Sequence, residues 1–249
     1  MDALPPFAQA ALLLDMDGTL LDIAPTPDSV VVAPGLAGTL EQLRDHLAGA
    51  VAVVTGRPVA QIDALLPGVL TAVSGEHGGA IRPAPGADLE RAPLPELPDA
   101  LRSAAAALAE PHPGVILEHK ARGFVLHYRL APELGRPLRA ALDSLLVPHP
   151  ALQLIPAHMA WEIRPNGVDK GSAVRELMAR APFAGRIPVF IGDDVTDEDG
   201  MRAARHFGGA GLFVPDVFGG APGVRDWLRR CADAAHWMPF VAASTQDTH

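Results

Sequence analysis

Two aspartates one residue apart, Asp15 and Asp17, close the apolar run in "ALLLDMDGTLLDI" (11–23). A carboxylate at a strand's end is rigidly placed and can serve as a nucleophile toward phosphorus. A second acid two residues on, in a turn, can reach the same reaction centre as general acid and base. Gly18 permits the tight turn, and Thr19 can cap the next segment. Two carboxylates this close repel each other, which favours a cation between them, and magnesium prefers oxygen ligands and bridges readily to phosphate. An ordinary strand-to-turn junction also ends in Asp-Gly, so the pair gains meaning only with partners elsewhere in the chain.

Three stretches offer partners. "VVTGR" (53–57) puts Thr55 at the end of a second apolar run, with Gly56 and Arg57 following. A hydroxyl and amides there can bind a phosphoryl oxygen. "NGVDKGSAV" (166–174) offers Lys170 just before a helix start, where it can neutralise a phosphate and a nucleophile. "IGDDVTDED" (191–199) sets five acids in seven residues after a hydrophobic strand. Asp193 or Asp194 can ligate a metal, and Asp197 can hold Lys170 or a metal-bound water. Glu198 and Asp199 read as the acidic start of a helix.

The elements that must position these residues follow from periodicity. "AALLLD" (10–15), "GAVAVVTG" (49–56) and "RIPVFIGD" (186–193) read as buried parallel strands, each ending in a polar or Gly-containing turn. Helical patterns fall at 36–48, 58–66, 171–181 and 197–207. Strand, turn and helix in repetition predict a doubly wound, Rossmann-like α/β sheet, whose ligands sit at the carboxyl ends of the strands.

The middle of the chain has another grammar. Residues 82–98 are Pro-rich and read as a linker or extended passage. An Ala-rich helix (99–109) is followed by the strands "GVILEHK" and "GFVLHYRL", a helix over 132–146 whose start Gly135 and Pro137 interrupt, and the strands "LQLIP" and "MAWEIRP". The order α-β-β-α-β-β predicts a small α+β module inserted in the core. Alternation places Phe124, Leu126 and Tyr128 on one face and Met159, Trp161 and Ile163 likewise. Val125, His127, Arg129, Ala160, Glu162 and Arg164 point the other way, and Glu118 and Lys120 share a face. A polar sheet face on an inserted module suits a lid.

With 249 residues, 49% hydrophobic and 20% charged, the composition is globular and long enough for a substantial core. The net charge of −9 repels nucleic acid and anionic membrane, so an anionic substrate needs a local positive site or a metal. One cysteine, Cys231, excludes a disulfide framework and a Cys-rich zinc site, in keeping with a reducing compartment. No basic leader opens the chain, so no signal peptide is expected. No apolar run approaches the roughly 18 residues that span a bilayer. The tail "AASTQDTH" reads as frayed.

DxDGT, a Thr at a strand end, a Lys before a helix and GDD after a strand, in that order, resemble the haloacid dehalogenase-like phosphohydrolases. The resemblance covers residues 11–83 and 162–220, and the insert is similar to the α/β caps of one branch of that superfamily. "GEHGG" (75–79), "LEHKARGFVLHYR" (117–129), "WEIRPNGVDKGSAV" (161–174) and "GDDVTDED" (192–199) narrow it, for together they resemble trehalose-6-phosphate phosphatases. "VTGR" departs from the frequent serine of that family but keeps the hydroxyl.

The resemblance implies a catalytic core at 1–83 and 164–249 and a cap at 84–163 that reads the sugar and closes to exclude water. It implies that Asp15 is phosphorylated and that Asp17 protonates the leaving oxygen and then activates water, assisted by Thr55 and Lys170. It also implies Mg2+ held by Asp15, the Asp17 carbonyl and Asp193, with Asp194 the competing ligand. Glu118, Lys120 and Glu162 match the family positions that grip sugar hydroxyls. Arg129, His77, Arg57 and Gly56 are further substrate-binding candidates. The expected protein is a cytoplasmic, Mg-dependent phosphatase of trehalose 6-phosphate that completes trehalose biosynthesis. It is expected to be a monomer or weak dimer, with a small disaccharide phosphate rather than nucleic acid or membrane as partner. Two rivals stand beside it: an enzyme for another sugar phosphate, such as a glucosylglycerol or mannosylglycerate ester, and a non-catalytic sugar-phosphate sensor.

Overall fold

The apolar runs form the centre of the sheet. In the computed structural model, which describes residues 2–24, 29–70, 72–120 and 122–240, Ala10–Leu14 (β1) is buried throughout. The helix Leu36–His46 (α1) leads to Val51–Val54 (β2), also fully buried. Val59–Leu65 (α2) leads to Ala72–Gly75 (β3), then to Ala80–Arg82 (β4) and Glu90–Arg91 (β5). After the insert come Lys170–Met178 (α5), Ile187–Gly192 (β10), Glu198–His206 (α6), Ala210–Phe213 (β11), the short turn of helix Val214–Val217 (α7) and Ala221–Ala234 (α8). The insert itself carries Asp99–Ala109 (α3), Ile116–Lys120 (β6), Gly123–His127 (β7), Gly135–Leu146 (α4), Leu152–Ala157 (β8) and Ala160–Pro165 (β9).

The main sheet has the order β11-β10-β1-β2-β3-β4-β5. Its first five strands are parallel and the last two pairings antiparallel. The chain winds from β1 outward through β2 and β3, then returns to build β10 and β11 on the other flank. The direction of winding therefore reverses at β1, and a crevice opens outside the carboxyl ends of β1 and β10. A strand covered on both faces has no use for polar alternation, which is why "ALLL" and "VAVV" read as unbroken apolar runs.

Three parts of this unit departed from expectation. β3 ("AVSG") and β11 ("AGLF") are four-residue strands in which small residues take half the positions or more, so their apolar signal is weak although both are largely buried. α8 was not foreseen, yet its Trp227 is fully buried and stacks on Trp237 and Phe240 at 5.4 and 5.3 Å. The passage 82–98 is not simply a linker. β5 pairs with β4, while Arg91 meets Glu76 at 2.8 Å and Arg180 meets Glu90 at 2.6 Å. These ties hold residues 84–92 to the first unit. The chain accordingly divides into two compact units at 92/93 and 167/168, rather than at 83/84 and 163/164.

The second unit is a four-stranded antiparallel sheet of order β6-β7-β9-β8 with α3 and α4 on one face. Leu101 and Ala105 of α3 and Leu138 and Leu142 of α4 recur at helical spacing. They pack with Phe124, Leu126 and Ile163 into a separate core. The expected alternation holds on β7 and β9, with one correction: Met159 is not on a strand face. It sits in the tight β8–β9 turn with φ +52°, where its carbonyl accepts from the Tyr128 amide at 2.9 Å. The C-terminal tail 242–249 lies outside the described residues.

Leu142 is fully buried in this smaller core, so Leu142→Ala is expected to destabilise the unit by about 2–5 kcal/mol. Hydrogen exchange should show faster opening in β6–β9 with little change in β1, β2 and β10. Unaltered exchange in β6–β9 would contradict a separate core.

Candidate active site

The backbone of Asp15 continues the parallel ladder, its amide donating to the Ile191 carbonyl at 2.9 Å. The nucleophile candidate is thereby fixed at the end of the central strand, beside the end of β10. Its side chain is almost fully buried. The cation that meets it arrives from a helix start. Asp169 caps α5, accepting from the Ser172 amide at 2.6 Å, and the Ser172 hydroxyl completes a capping box. This makes Lys170 the first residue of the helix, buried, where the helix dipole disfavours a positive charge. Two carboxylates offset that: Lys170 Nζ donates to Asp15 Oδ1 at 2.6 Å and to Asp197 Oδ1 at 2.5 Å.

Asp197 is wholly buried, and its second oxygen is also engaged, accepting from the amides of Asp193 and Asp194 at 3.1 and 3.0 Å. One carboxylate thus joins the lysine to the turn after β10. The Asp193 carboxylate faces Asp15, with Oδ1 accepting from the Thr19 hydroxyl at 3.3 Å. Thr19 therefore spans to β10's turn instead of capping its own segment. Gly18 has φ +80°, and a Cβ there would stand 2.0 Å from Asp193 Oδ2. The turn thus needs glycine both for its conformation and for the closeness of that acid. Asp194 turns away, accepting from the amide of Val195 to cap the following turn.

Asp15, Asp193 and Asp197 each offer an oxygen within 4.8 Å of the others. Three acids face one ammonium. Burial and the Asp197 charge push the Asp15 carboxyl well above the usual carboxylate range, against the pull of Lys170. Burial and Asp197 likewise push Asp193 up to about 6. Burial works against the Lys170 ammonium, but Asp15 and Asp197 outweigh it and hold that group above its ordinary value. The excess of negative charge has one common physical remedy, a divalent cation among hard oxygen donors. The donor set fits one: Asp15 and Asp193 have oxygens to offer, whereas Asp197 is committed to Lys170 and two amides.

Asp17 is placed differently from the other acids. The Arg57 guanidinium grips it in a two-point pair, Nε to Oδ2 at 2.6 Å and Nη2 to Oδ1 at 2.7 Å, while Nη1 reaches Gln61 Oε1 at 3.3 Å. Arg57, expected beside substrate, thus binds an acid of the motif; nothing in either motif alone signalled the pairing. Thr55 is buried at the end of β2, its hydroxyl accepting from the Arg57 amide at 3.3 Å. The Thr55 carbonyl accepts from the His77 amide at 3.0 Å, which stitches the loops after β2 and β3 together. His77 is buried with φ +55°, and Gly56 makes room for its ring, since a Cβ there would lie 2.3 Å from Nε2.

The remaining candidates lie in the second unit. Register aligns Glu118, Val125, Glu162 and Ile155 in one row across β6, β7, β9 and β8. Lys120 Nζ lies 3.7 Å from Glu162 Oε1. His127 Nε2 bonds Glu118 Oε2 at 2.8 Å. Arg164 is buried on the same face of β9. Arg129 falls two residues beyond β7 and is exposed. Alternation alone could have put His127 and Arg164 with the two glutamates. Which atoms bond is decided by strand register.

Acids and a lysine gathered at the carboxyl ends of a doubly wound parallel sheet define the fold class of haloacid dehalogenase-like hydrolases. A haloacid dehalogenase-like hydrolase from Bacteroides thetaiotaomicron shares the fold, with TM-score 0.60 at 13% identity over 89% of this chain and 98% of that one. The C-terminal domain of Candida albicans trehalose-6-phosphate phosphatase shares it too, with TM-score 0.78 at 19% identity over 91% of this chain and 93% of that one. The trehalose-phosphatase family model matches residues 13–218. The Escherichia coli trehalose-6-phosphate phosphatase is 34% identical over 243 residues, 96% of this chain and 89% of that protein. This chain belongs to the trehalose-phosphatase family.

Folded Asp193 holds its proton up to about 6, against an ordinary value of 3.8. The folded state therefore binds the proton more tightly, and stability falls as pH rises through that window. A divalent cation competes for the same oxygens, so its stabilisation should be larger above the window than within it. Melting temperatures with and without saturating magnesium, near pH 7.5 and near pH 5, should show the larger upshift at the higher pH. Equal shifts would place cation binding elsewhere.

Proposed function

We propose that this chain hydrolyses trehalose 6-phosphate to trehalose and inorganic phosphate through an aspartyl-phosphate on Asp15. The observation that carries the reading is the buried Asp15–Lys170–Asp197 array with Asp193 alongside, in a chain of the trehalose-phosphatase family. In the first half, a carboxylate oxygen of Asp15 bonds to phosphorus as the bond to the sugar oxygen breaks. Asp17 gives that oxygen its proton. In the second half, Asp17 takes a proton from water, the water oxygen bonds to phosphorus, and the bond to Asp15 breaks to release phosphate. Lys170 compensates charge on Asp15 and on the phosphoryl oxygens, and the Thr55 hydroxyl and the neighbouring loop amides receive one of those oxygens.

Magnesium, held by the Asp15 and Asp193 carboxylates and the Asp17 carbonyl, supplies the positive charge this acid-rich cluster lacks. Asp197 keeps Lys170 in place. Asp194 has a structural role in the turn. Arg57 steadies Asp17, each of whose oxygens keeps a further lone pair for the proton exchanged with the leaving oxygen. The second unit contributes hydroxyl acceptors and donors in Glu118, Lys120 and Glu162, and carboxylates that accept from vicinal hydroxyls reject substrates lacking them.

Phosphate release from trehalose 6-phosphate should require magnesium and exceed that from glucose 6-phosphate and sucrose 6-phosphate. Equal rates on glucose 6-phosphate would remove the disaccharide assignment. Asp15→Asn should lower kcat by about 10^3-fold or more in a protein that still melts cooperatively. Arg57→Leu should lower turnover of the sugar phosphate by about 10^2-fold, with a smaller loss on p-nitrophenyl phosphate, whose leaving group needs no proton but whose phosphoryl-enzyme still needs its water activated. Undiminished turnover of the sugar phosphate would refute a role through Asp17.

A further inference from the structure

The polar face of the second unit's sheet contains one contact that the hydrolysis scheme does not use. His127 on β7 lies diagonally across from Glu118 on β6, two residues beyond Val125, the direct partner of Glu118. Its Nε2 stands 2.8 Å from Glu118 Oε2, and both side chains are a little over one quarter exposed. Burial opposes ionisation of Glu118, yet the His127 bond and the Lys120 charge outweigh it and hold its carboxyl below its ordinary value. An ionised carboxylate only accepts hydrogen bonds, so the shared proton sits on Nε2. This holds for the neutral ring protonated at Nε2 as well as for the imidazolium.

The sheet face that carries His127 holds two acids and two bases besides it: Glu118 and Lys120 on β6, Glu162 and Arg164 on β9. The donor role therefore needs no charge on the ring. What the bond supplies is orientation. A glutamate side chain loses up to roughly 2 kcal/mol of rotamer freedom when it is fixed, and a carboxylate left to rotate surrenders that when it grips a ligand. Fixing one oxygen in advance leaves Oε1 aimed in a single direction, and pre-organisation of this kind strengthens binding without adding a contact.

We propose that His127 is a positioning residue for sugar recognition, donating Nε2–H to Glu118 Oε2 so that Oε1 is presented to a sugar hydroxyl. The proposal rests on the reading that this face accepts the hydroxyls of the disaccharide phosphate. It differs from a direct sugar contact by His127, because all of its effect passes through Glu118.

Steady-state kinetics of wild type, His127→Ala, His127→Gln, Glu118→Ala and the double variant test it, with trehalose 6-phosphate and p-nitrophenyl phosphate as substrates. His127→Ala is expected to raise KM for trehalose 6-phosphate about tenfold, equivalent to about 1.4 kcal/mol, with kcat nearly unchanged. Glutamine, which keeps an N–H donor, should restore most of the loss. Adding His127→Ala to Glu118→Ala should change KM no further. Kinetics on p-nitrophenyl phosphate, which has no sugar hydroxyls, should stay within twofold in His127→Ala and His127→Gln. A KM unmoved in His127→Ala while Glu118→Ala raises it overturns this proposal alone. A further tenfold loss in the Glu118→Ala background, or an equal loss on p-nitrophenyl phosphate, also overturns it. If Glu118→Ala itself leaves the trehalose 6-phosphate KM unchanged, the sugar-reading role of the face falls, and this proposal with it.

Discussion

Lys170 is an ammonium buried between two carboxylates at the wrong end of a helix for its charge. Breaking such a triad leaves a charge stranded away from water, at a typical penalty of about 3–5 kcal/mol. The pairing therefore constrains everything near it. It fixes the start of α5 against the end of β1. Through Asp197 it also fixes the turn after β10, since the same carboxylate receives the Asp193 and Asp194 amides. Segments more than 150 residues apart in sequence are bound into one rigid corner. The capping box on Asp169 and Ser172 leaves the helix no other place to begin.

The two units solve opposite electrostatic problems. In the first, acids outnumber bases, and the Asp15 and Asp193 carboxyls bind protons more tightly than usual. Such a cluster is suited to a small hard cation and, with it, to an anionic phosphoryl group. On the sheet face of the second unit, two acids meet two bases, and Glu118 is held ionised. A balanced face with fixed acceptors suits uncharged hydroxyls, which need directional bonds rather than neutralisation. One net charge for the whole chain, −9, conceals this division.

Much of the architecture was legible because it rests on period and run length. β1, β2 and β10 are unbroken apolar runs; α1, α3, α5 and α6 follow the 3.6-residue repeat; and the order α-β-β-α-β-β outlined the insert. The failures share a cause. β3 and β11 are only four residues long, with Ala, Gly or Ser at half the positions or more, and their burial depends on neighbours supplied by distant strands. β5 is two residues of opposite charge, Glu90 and Arg91, and nothing in a Pro-rich passage announces that the chain will return to the sheet. α8 owes much of its anchorage to stacking of Trp227 on residues downstream of the helix.

The site divides along the same line. Residue types and their order along the chain were enough to bring Asp15, Thr55, Lys170 and the acids at 193–197 to the carboxyl ends of neighbouring strands, because covalent geometry and parallel winding leave few other places for them. Sequence could not choose between Asp193 and Asp194, since adjacent residues differ only in which way the side chain turns. The Asp197 brace and the capping of the turn by Asp194 leave Asp193 as the one of the two that groups with Asp15 and Asp197. Nor could it show Arg57 clasping Asp17 or His127 meeting Glu118. Those pairs depend on the register of strands and the closeness of loops, and such distances exist only once the whole chain has packed.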